Sequence, residues 1–273
     1  MQHELDNHTS LLFTDLFFGI PVLLAIGLYI GAILTTNRRR HLRKWPWLRT
    51  ISFIAGVLLA ATAVIGPLAR QSHSDFTAHM MGHLLLGMLA PLLVALAAPM
   101  TLLLRTLNVH AARKLSRLLQ RRLIRFFTHP IVASFLNIGG LWLLYTTSLY
   151  TAMHTNLLLH IFVHMHVFIA GYLFTISLLY IEPVSHRFSF QFRTIVFILA
   201  LAGHGILSKF IYAYPPEGVP VAQARSGALL MYYGGDAVDL LLIFILFKHW
   251  YQSARPRTRA TIDRENPKAN HAT

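Results

Sequence analysis

Apolar residues dominate seven stretches of the chain, and each is about as long as a bilayer requires. A helix rises 1.5 Å per residue, so roughly 20 apolar residues cross the hydrocarbon core of a membrane. The pattern predicts an all-α, polytopic membrane protein with seven transmembrane helices, over residues 14–35, 50–69, 76–104, 130–150, 155–181, 193–214 and 226–248. Short connections join these spans, which predicts one transmembrane domain over residues 1–252. The polar segment 253–273 is expected to be a disordered tail on the cytoplasmic side.

The composition favours a membrane protein over a soluble one. Of the 273 residues, 55% are hydrophobic and only 12% are charged, and the mean hydropathy is +0.53. The segment before the first span carries Glu4 and Asp6 and no Lys or Arg, the reverse of the basic start of a secretory signal. The first apolar stretch is therefore predicted to be a true span.

The basic residues predict the orientation of the chain. Most of the 24 Lys and Arg residues lie in segments 37–49, 105–125, 182–193 and the C-terminal tail. Because basic loops stay on the cytoplasmic side, the N-terminus is predicted outside and the C-terminus inside. The net charge of +14 then reflects topology and attraction to anionic lipid heads. Nucleic-acid binding is not expected, because the basic residues are spread over several loops that flank spans.

Histidines are prominent among the polar residues inside the predicted spans. Polar groups are costly in hydrocarbon, so those that occur there are usually functional. His79 and His83 in ‘HMMGH’ are four residues apart, as are His160 and His164 in ‘HIFVH’. Four residues make about one helical turn, so each pair shares a helix face. Both helices are predicted to run from outside to inside.

Four predicted spans bring polar groups to one layer in the outer half of the membrane. By the helical rise, His83 and His160 lie roughly 8–10 Å below the outer ends of their spans. His164, His204 and Asp236 lie roughly 14–15 Å deep by the same count. This agreement in depth predicts that the residues belong to one site.

The residue types in this layer point to a metal site. Imidazoles one turn apart on a helix can both bind one ion, as in helical His-x-x-x-His zinc sites. Imidazole suits zinc, copper, iron and nickel, and thioethers shift the preference toward Cu(I). The chain has no cysteine, so histidine and methionine must supply any soft ligands. Copper is therefore favoured. The candidate ligands are His79, His83, His160, His164 and His204, with Asp236, Met80, Met231 and His154 as auxiliary residues.

Several motifs together resemble a known family. The segments ‘HMMGHLLLGMLAPLLVALAAPMTLLLR’ (79–105), ‘HP’ (129–130), ‘HIFVHMHVFIAGYLF’ (160–174) and ‘GGD’ (234–236) are similar to the multi-span CtaG-type assembly factors of cytochrome c oxidase. The likeness extends over roughly spans two to seven. It implies a bacterial plasma-membrane protein, without catalytic turnover, that delivers copper to the Cu(B) centre of the oxidase catalytic subunit. An extracytoplasmic copper donor is a further candidate partner. The resemblance also points to His79, His83, His160, His164 and Asp236.

Two other functions remain open from the sequence. A b-type heme protein that exchanges electrons with quinone would use histidines as axial ligands. Heme iron takes one ligand from each side, however, so the second histidine of each pair four residues apart would have no role as a ligand. A copper transporter or a proton-coupled transporter would need a polar path to the inner face, and the inner halves of the spans supply little beyond Asp239.

Overall fold

The chain folds into helices throughout the described residues, 2–40, 42–184 and 186–254, with side chains described from residue 19 onward. This computed structural model contains no strand in those ranges. The helices are α1 (Gln2–Arg38), α2 (Trp47–Val64), α3 (Pro67–Gln71), α4 (Phe76–Leu84), α5 (Ala90–Ala97), α6 (Pro99–Thr106), α7 (Val109–Leu119), α8 (Arg122–Phe127), α9 (Pro130–Ser134), α10 (Gly140–Thr146), α11 (Leu149–Thr155), α12 (Leu157–Leu178), α13 (Phe190–Ala213) and α14 (Val221–Ala254). Two π-helical turns interrupt them, π1 (Leu85–Leu89) and π2 (Phe135–Gly139).

Six helical segments are long and apolar enough to cross a membrane. They are Gly19–Arg38, Trp47–Gln71, Phe76–Thr106, Leu157–Leu178, Phe190–Ala213 and Val221–Ala254, and a bent helix pair makes a seventh if it is one span. The all-α, polytopic prediction is confirmed, with each span within a few residues of its predicted place. Residues 255–273 of the predicted tail lie outside the described residues. The orientation of the termini stays a prediction, and “outer” and “inner” below refer to it.

The segment at the fourth predicted span, 130–150, is bent in the structure. The segment Pro130–Thr146 is followed by Leu149–Thr155 at an angle of 80°. Thr147 lies at the bend, where its hydroxyl donates to the carbonyl of Leu143 at 2.6 Å and accepts from the amide of Leu149 at 3.2 Å. Such local bonds offer the backbone an alternative to the helix. His154 consequently lies on the separate short helix α11.

Large apolar side chains cover the outside of the bundle. Leu23, Leu158, Phe162 and Leu199 are each between 66% and 77% exposed. Water-soluble monomers rarely expose apolar patches of more than a few hundred Å². The exposed apolar residues are therefore placed to contact lipid, in agreement with a membrane protein.

The segment α4–π1–α5 lies at the centre of the bundle and contacts α2, α12 and α14. Small residues allow these close contacts. A side chain at Gly234 of α14 would meet Leu84 at 2.5 Å, and one at Gly56 of α2 would meet Val94 at 2.9 Å. The central segment ends where Ala98 adopts a left-handed conformation (φ 53°) just before Pro99. This packing holds ‘HMMGH’ between three other spans.

Charged side chains secure both ends of α6 near the inner side. The carboxylate of Glu182 accepts hydrogen bonds from the amides of Met100 (2.8 Å) and Thr101 (3.0 Å), at the helix start. Arg39 donates to the carbonyls of Arg105 (2.8 Å) and Thr106 (2.7 Å), at the helix end. Burial raises the pKa of Glu182 above its ordinary value, although these bonds favour the carboxylate.

Candidate metal site

Three of the predicted ligands line one small cavity in the outer half of the bundle. His79 and His83 enter it from α4, and His164 enters it from α12. Tyr145 of α10 completes its polar lining together with Ser72. The cavity has a volume of about 20 Å³, which is room for one water molecule or one ion. Two distant histidine motifs thus meet at one point, as their shared spacing and direction predicted.

The start of α4 is fixed by a capping residue. The carboxylate of Asp75 accepts hydrogen bonds from the amides of Thr77 (3.0 Å) and Ala78 (3.3 Å). Such an N-cap satisfies amides that have no partner inside the helix. The cap holds the first turn, so His79 and His83 project one above the other on the same side of α4.

His83 is the most unusual side chain in the cavity. It is only 6% exposed, and neither of its ring nitrogens has a hydrogen-bond partner. A buried polar group without a partner costs free energy, on the order of 1–3 kcal/mol. Since native structures rarely leave such groups unsatisfied, each one calls for an explanation such as a bound water or ion. The unpartnered nitrogens of His83 therefore fit a ligand.

His164 presents a defined nitrogen. Its Nδ1 donates a hydrogen bond to the backbone carbonyl of His160 at 2.9 Å. In a neutral imidazole the other nitrogen, Nε2, then carries the free lone pair. Metal-binding histidines commonly use this arrangement, in which a bond from one nitrogen fixes the ring for ligation by the other.

His79 is buried and engaged with a tyrosine that the sequence analysis did not single out. Its Nε2 is hydrogen-bonded to the hydroxyl of Tyr145 at 3.0 Å, and its ring lies 5.1 Å from that of Tyr150. Tyr145 is itself only 2% exposed. The hydroxyl of Tyr145 is a polar group inside the apolar fourth span, and polar groups in hydrocarbon are usually functional. That feature of the sequence could have identified Tyr145 as a candidate site residue.

Three further histidines form a cluster between this cavity and the outer end. The ring of His160 stacks on His164 at 4.1 Å and on His73 at 5.3 Å, and His73 contacts His154 at 5.8 Å. The ring of His154 is in turn 6.1 Å from that of His79. Burial and the neighbouring charge of His154 lower the pKa of His73 below its ordinary value. The ‘HIFVH’ face therefore points to other histidines rather than to lipid.

The remaining predicted residues lie elsewhere. His204 lines a second cavity, Asp236 is exposed on α14, and Asp239 is the buried carboxylate of that helix. Met80 and Met231 are fully buried in an apolar cluster and line neither cavity. Within the described ranges, no three His, Asp or Glu side chains lie close enough together to hold a metal ion. The histidines therefore approach one another without forming a closed ligand set.

Residues 27–253 match the model of the cytochrome c oxidase caa3 assembly factor, Caa3_CtaG. The chain belongs to that family. The match extends from the first span to the end of α14, so it includes both histidine motifs, Tyr145 and the second cavity.

This caa3 assembly factor family member also has relatives in mycobacteria. An uncharacterized protein of Mycobacterium bovis and one of Mycobacterium tuberculosis are each 31% identical to it over 189 residues, and one of Mycobacterium leprae is 24% identical over 188 residues. These matches cover 66% of the present chain but only 28% of each relative, so the chain spans less than a third of their length. No solved structure matches the chain.

Proposed function

We propose that this caa3 assembly factor family member binds copper inside the bacterial plasma membrane. It would deliver that copper to the Cu(B) centre of the oxidase catalytic subunit, without catalytic turnover of its own. The observation that carries the proposal is His83, whose two buried and unpartnered nitrogens face a cavity shared with His79 and His164. The family description supports the assembly role, and the histidines support the copper.

The ligand set suits a cargo that must later be released. His83 has no hydrogen bond to lose when its ring turns toward an ion, and His164 already presents Nε2. Small rotations of these side chains would close the open arrangement on copper. No carboxylate lines the cavity, so a bound ion would keep its charge. A single charge costs less in the membrane than a double one, which favours Cu(I).

The outer histidine cluster provides an entry route. His73, His154 and His160 lie between the cavity and the outer end, and their rings follow one another at 5.3–5.8 Å. An extracytoplasmic donor would release copper to these side chains. The intramembrane cavity would then pass it to a subunit in the same bilayer.

A heme function is less well supported by the geometry. The cavity has room for about one water molecule, whereas pockets for organic ligands measure roughly 300–1,000 Å³. The helices around the histidines would have to separate widely to admit a porphyrin. Copper needs no such movement.

The test is the copper content of an oxidase that matures with variants of this protein. In a host strain that lacks the endogenous gene, oxidase purified after expression of the wild-type chain should contain Cu(B) and be active. His83→Gln should leave the oxidase deficient in Cu(B). His166→Gln is the matched control, because the Nε2 of His166 donates to the carbonyl of Leu136 (3.1 Å) and its ring lines neither cavity. Full Cu(B) occupancy with His83→Gln would contradict the proposal.

A further inference from the structure

A second buried cavity lies further toward the inner side, because Met88 and Asn137 in its lining lie inward of His83 and Tyr145 on the same two spans. Its polar lining consists of His204 from α13, Asp239 from α14 and Asn137 from π2. It shares no lining residue with the first cavity, and it also has a volume of about 20 Å³. The two cavities are therefore separate spaces, each with room for one ion or one water molecule.

The side chains of this cavity are as buried as those of the first. His204 is 4% exposed and Asp239 is 5% exposed, and the Nε2 of His204 has no hydrogen-bond partner. A carboxylate and an unsatisfied imidazole nitrogen thus face one enclosed space inside a membrane protein. Such groups are costly unless something satisfies them.

The backbone around the cavity is arranged to place these groups. A side chain at Gly235 would meet the His204 ring at 2.5 Å, so this ring lies directly against the backbone of α14. Asp239 follows Gly235 by one helical turn and projects on the same side. Met88 from π1 and Asn137 from π2 also line the cavity. π-Helical turns are rare and are frequently found at functional sites, and here two of them meet at one cavity.

The chemistry of the lining selects a small transition-metal cation. Imidazole nitrogen from His204 and the thioether of Met88, which also lines the cavity, suit Cu(I), and the carboxylate of Asp239 would neutralise the charge of the cation in the membrane. An organic ligand does not fit in the available volume. The nearness of the first cavity makes copper, the cargo of the proposed function, the fitting occupant.

We infer that His204, Asp239 and Asn137 form a second, inner copper position, distinct from the one lined by His79, His83 and His164. This inference rests on the proposed function, because it assigns a further position to the same cargo. Copper would enter at the neutral outer position and move inward to the charged one before it leaves the protein.

The test is the copper stoichiometry of the purified full-length protein in detergent, after anaerobic dialysis against Cu(I) and removal of free metal. The wild-type chain should retain two copper ions. Asp239→Asn and His204→Gln should each retain one, and His83→Gln should lose only the outer one. His166→Gln is the matched control, since the His166 ring lines neither cavity, and it should retain two. Thermal unfolding shows that each variant is folded.

The outcomes separate this inference from the proposed function. A wild-type stoichiometry of one, lost in His83→Gln and unchanged in Asp239→Asn, would overturn the inner position and leave the proposed function standing. A wild-type protein that retains no copper would overturn both. A wild-type stoichiometry of one contradicts a second position whatever the folding of the variants, and the variants show which position is occupied.

Discussion

Replacing Gly171 by alanine tests how closely α12 must approach π1 for the outer cavity to form. A Cβ atom at this position would overlap the carbonyl oxygen of Gly87 and lie 3.1 Å from Pro91. Real Cβ contacts are essentially never below 3.0 Å, so the two backbones must separate. Overpacking costs about 1–3 kcal/mol, and a clash with backbone belongs at the upper end. Alanine recovers about 1 kcal/mol of helix propensity, which leaves a net loss of about 2 kcal/mol.

The separation should also affect the metal site, because α12 carries His164 and π1 follows His83. Thermal unfolding in detergent and copper stoichiometry would measure the two effects. Gly205→Ala is the control, since a Cβ there meets Tyr232 at an ordinary 3.5 Å. It should be neutral or slightly stabilising and should keep its copper. If Gly171→Ala unfolded at the same temperature as Gly205→Ala and bound as much copper, the close approach would not matter.

Three further predictions concern residues around the site and at the inner end. Glu182→Ala should lower stability by about 2–3 kcal/mol, because the amides of α6 lose a buried acceptor; a thermal shift no larger than that of an exposed substitution would contradict this. The pKa of His73 is lower in the folded chain than in the unfolded chain. The contribution of His73 to the free energy of unfolding is therefore fully present above about pH 6.5. It is lost as the pH falls, because the unfolded chain takes up a proton before the folded chain does. In His73→Asn, the melting temperature should fall less as the pH is lowered. An unchanged dependence of the melting temperature on pH would mean that other groups cause the loss. Tyr145→Phe should cost about 1 kcal/mol by removing the bond to His79 and should leave the copper stoichiometry unchanged; loss of copper would show that the phenol itself is a ligand.

Apolar runs and helical spacing were sufficient to predict the spans and the meeting of the two histidine motifs. A helix in a bilayer satisfies its own backbone, so the length of an apolar run defines a span almost alone. The bend at Thr147 and the π-helical turns depend on local hydrogen bonds and on packing between helices. These are not visible in the hydrophobic pattern, and for that reason the short helix α11 that carries His154 was not predicted.

The two aspartates of α14, Asp236 and Asp239, show that the depth of a residue in the membrane does not predict whether its side chain enters the cavity. Counting residues gives the height of a side chain in the membrane but not its direction around the helix. Relative to Gly235, which faces His204, Asp236 is rotated by about 100° and Asp239 by only about 40°. Asp239 therefore enters the cavity, whereas Asp236 is exposed. The direction follows only once the packing of α13 on α14 is known.

The central claim is that intramembrane histidines hold copper, and elemental analysis combined with an absorption spectrum of the purified protein tests it most directly. Protein isolated from copper-replete cells should contain copper in stoichiometric amount, show no Soret band, and lose the copper of the outer position when His83 is replaced by Gln. Protein free of copper, or protein with a Soret band and stoichiometric heme, would contradict the claim.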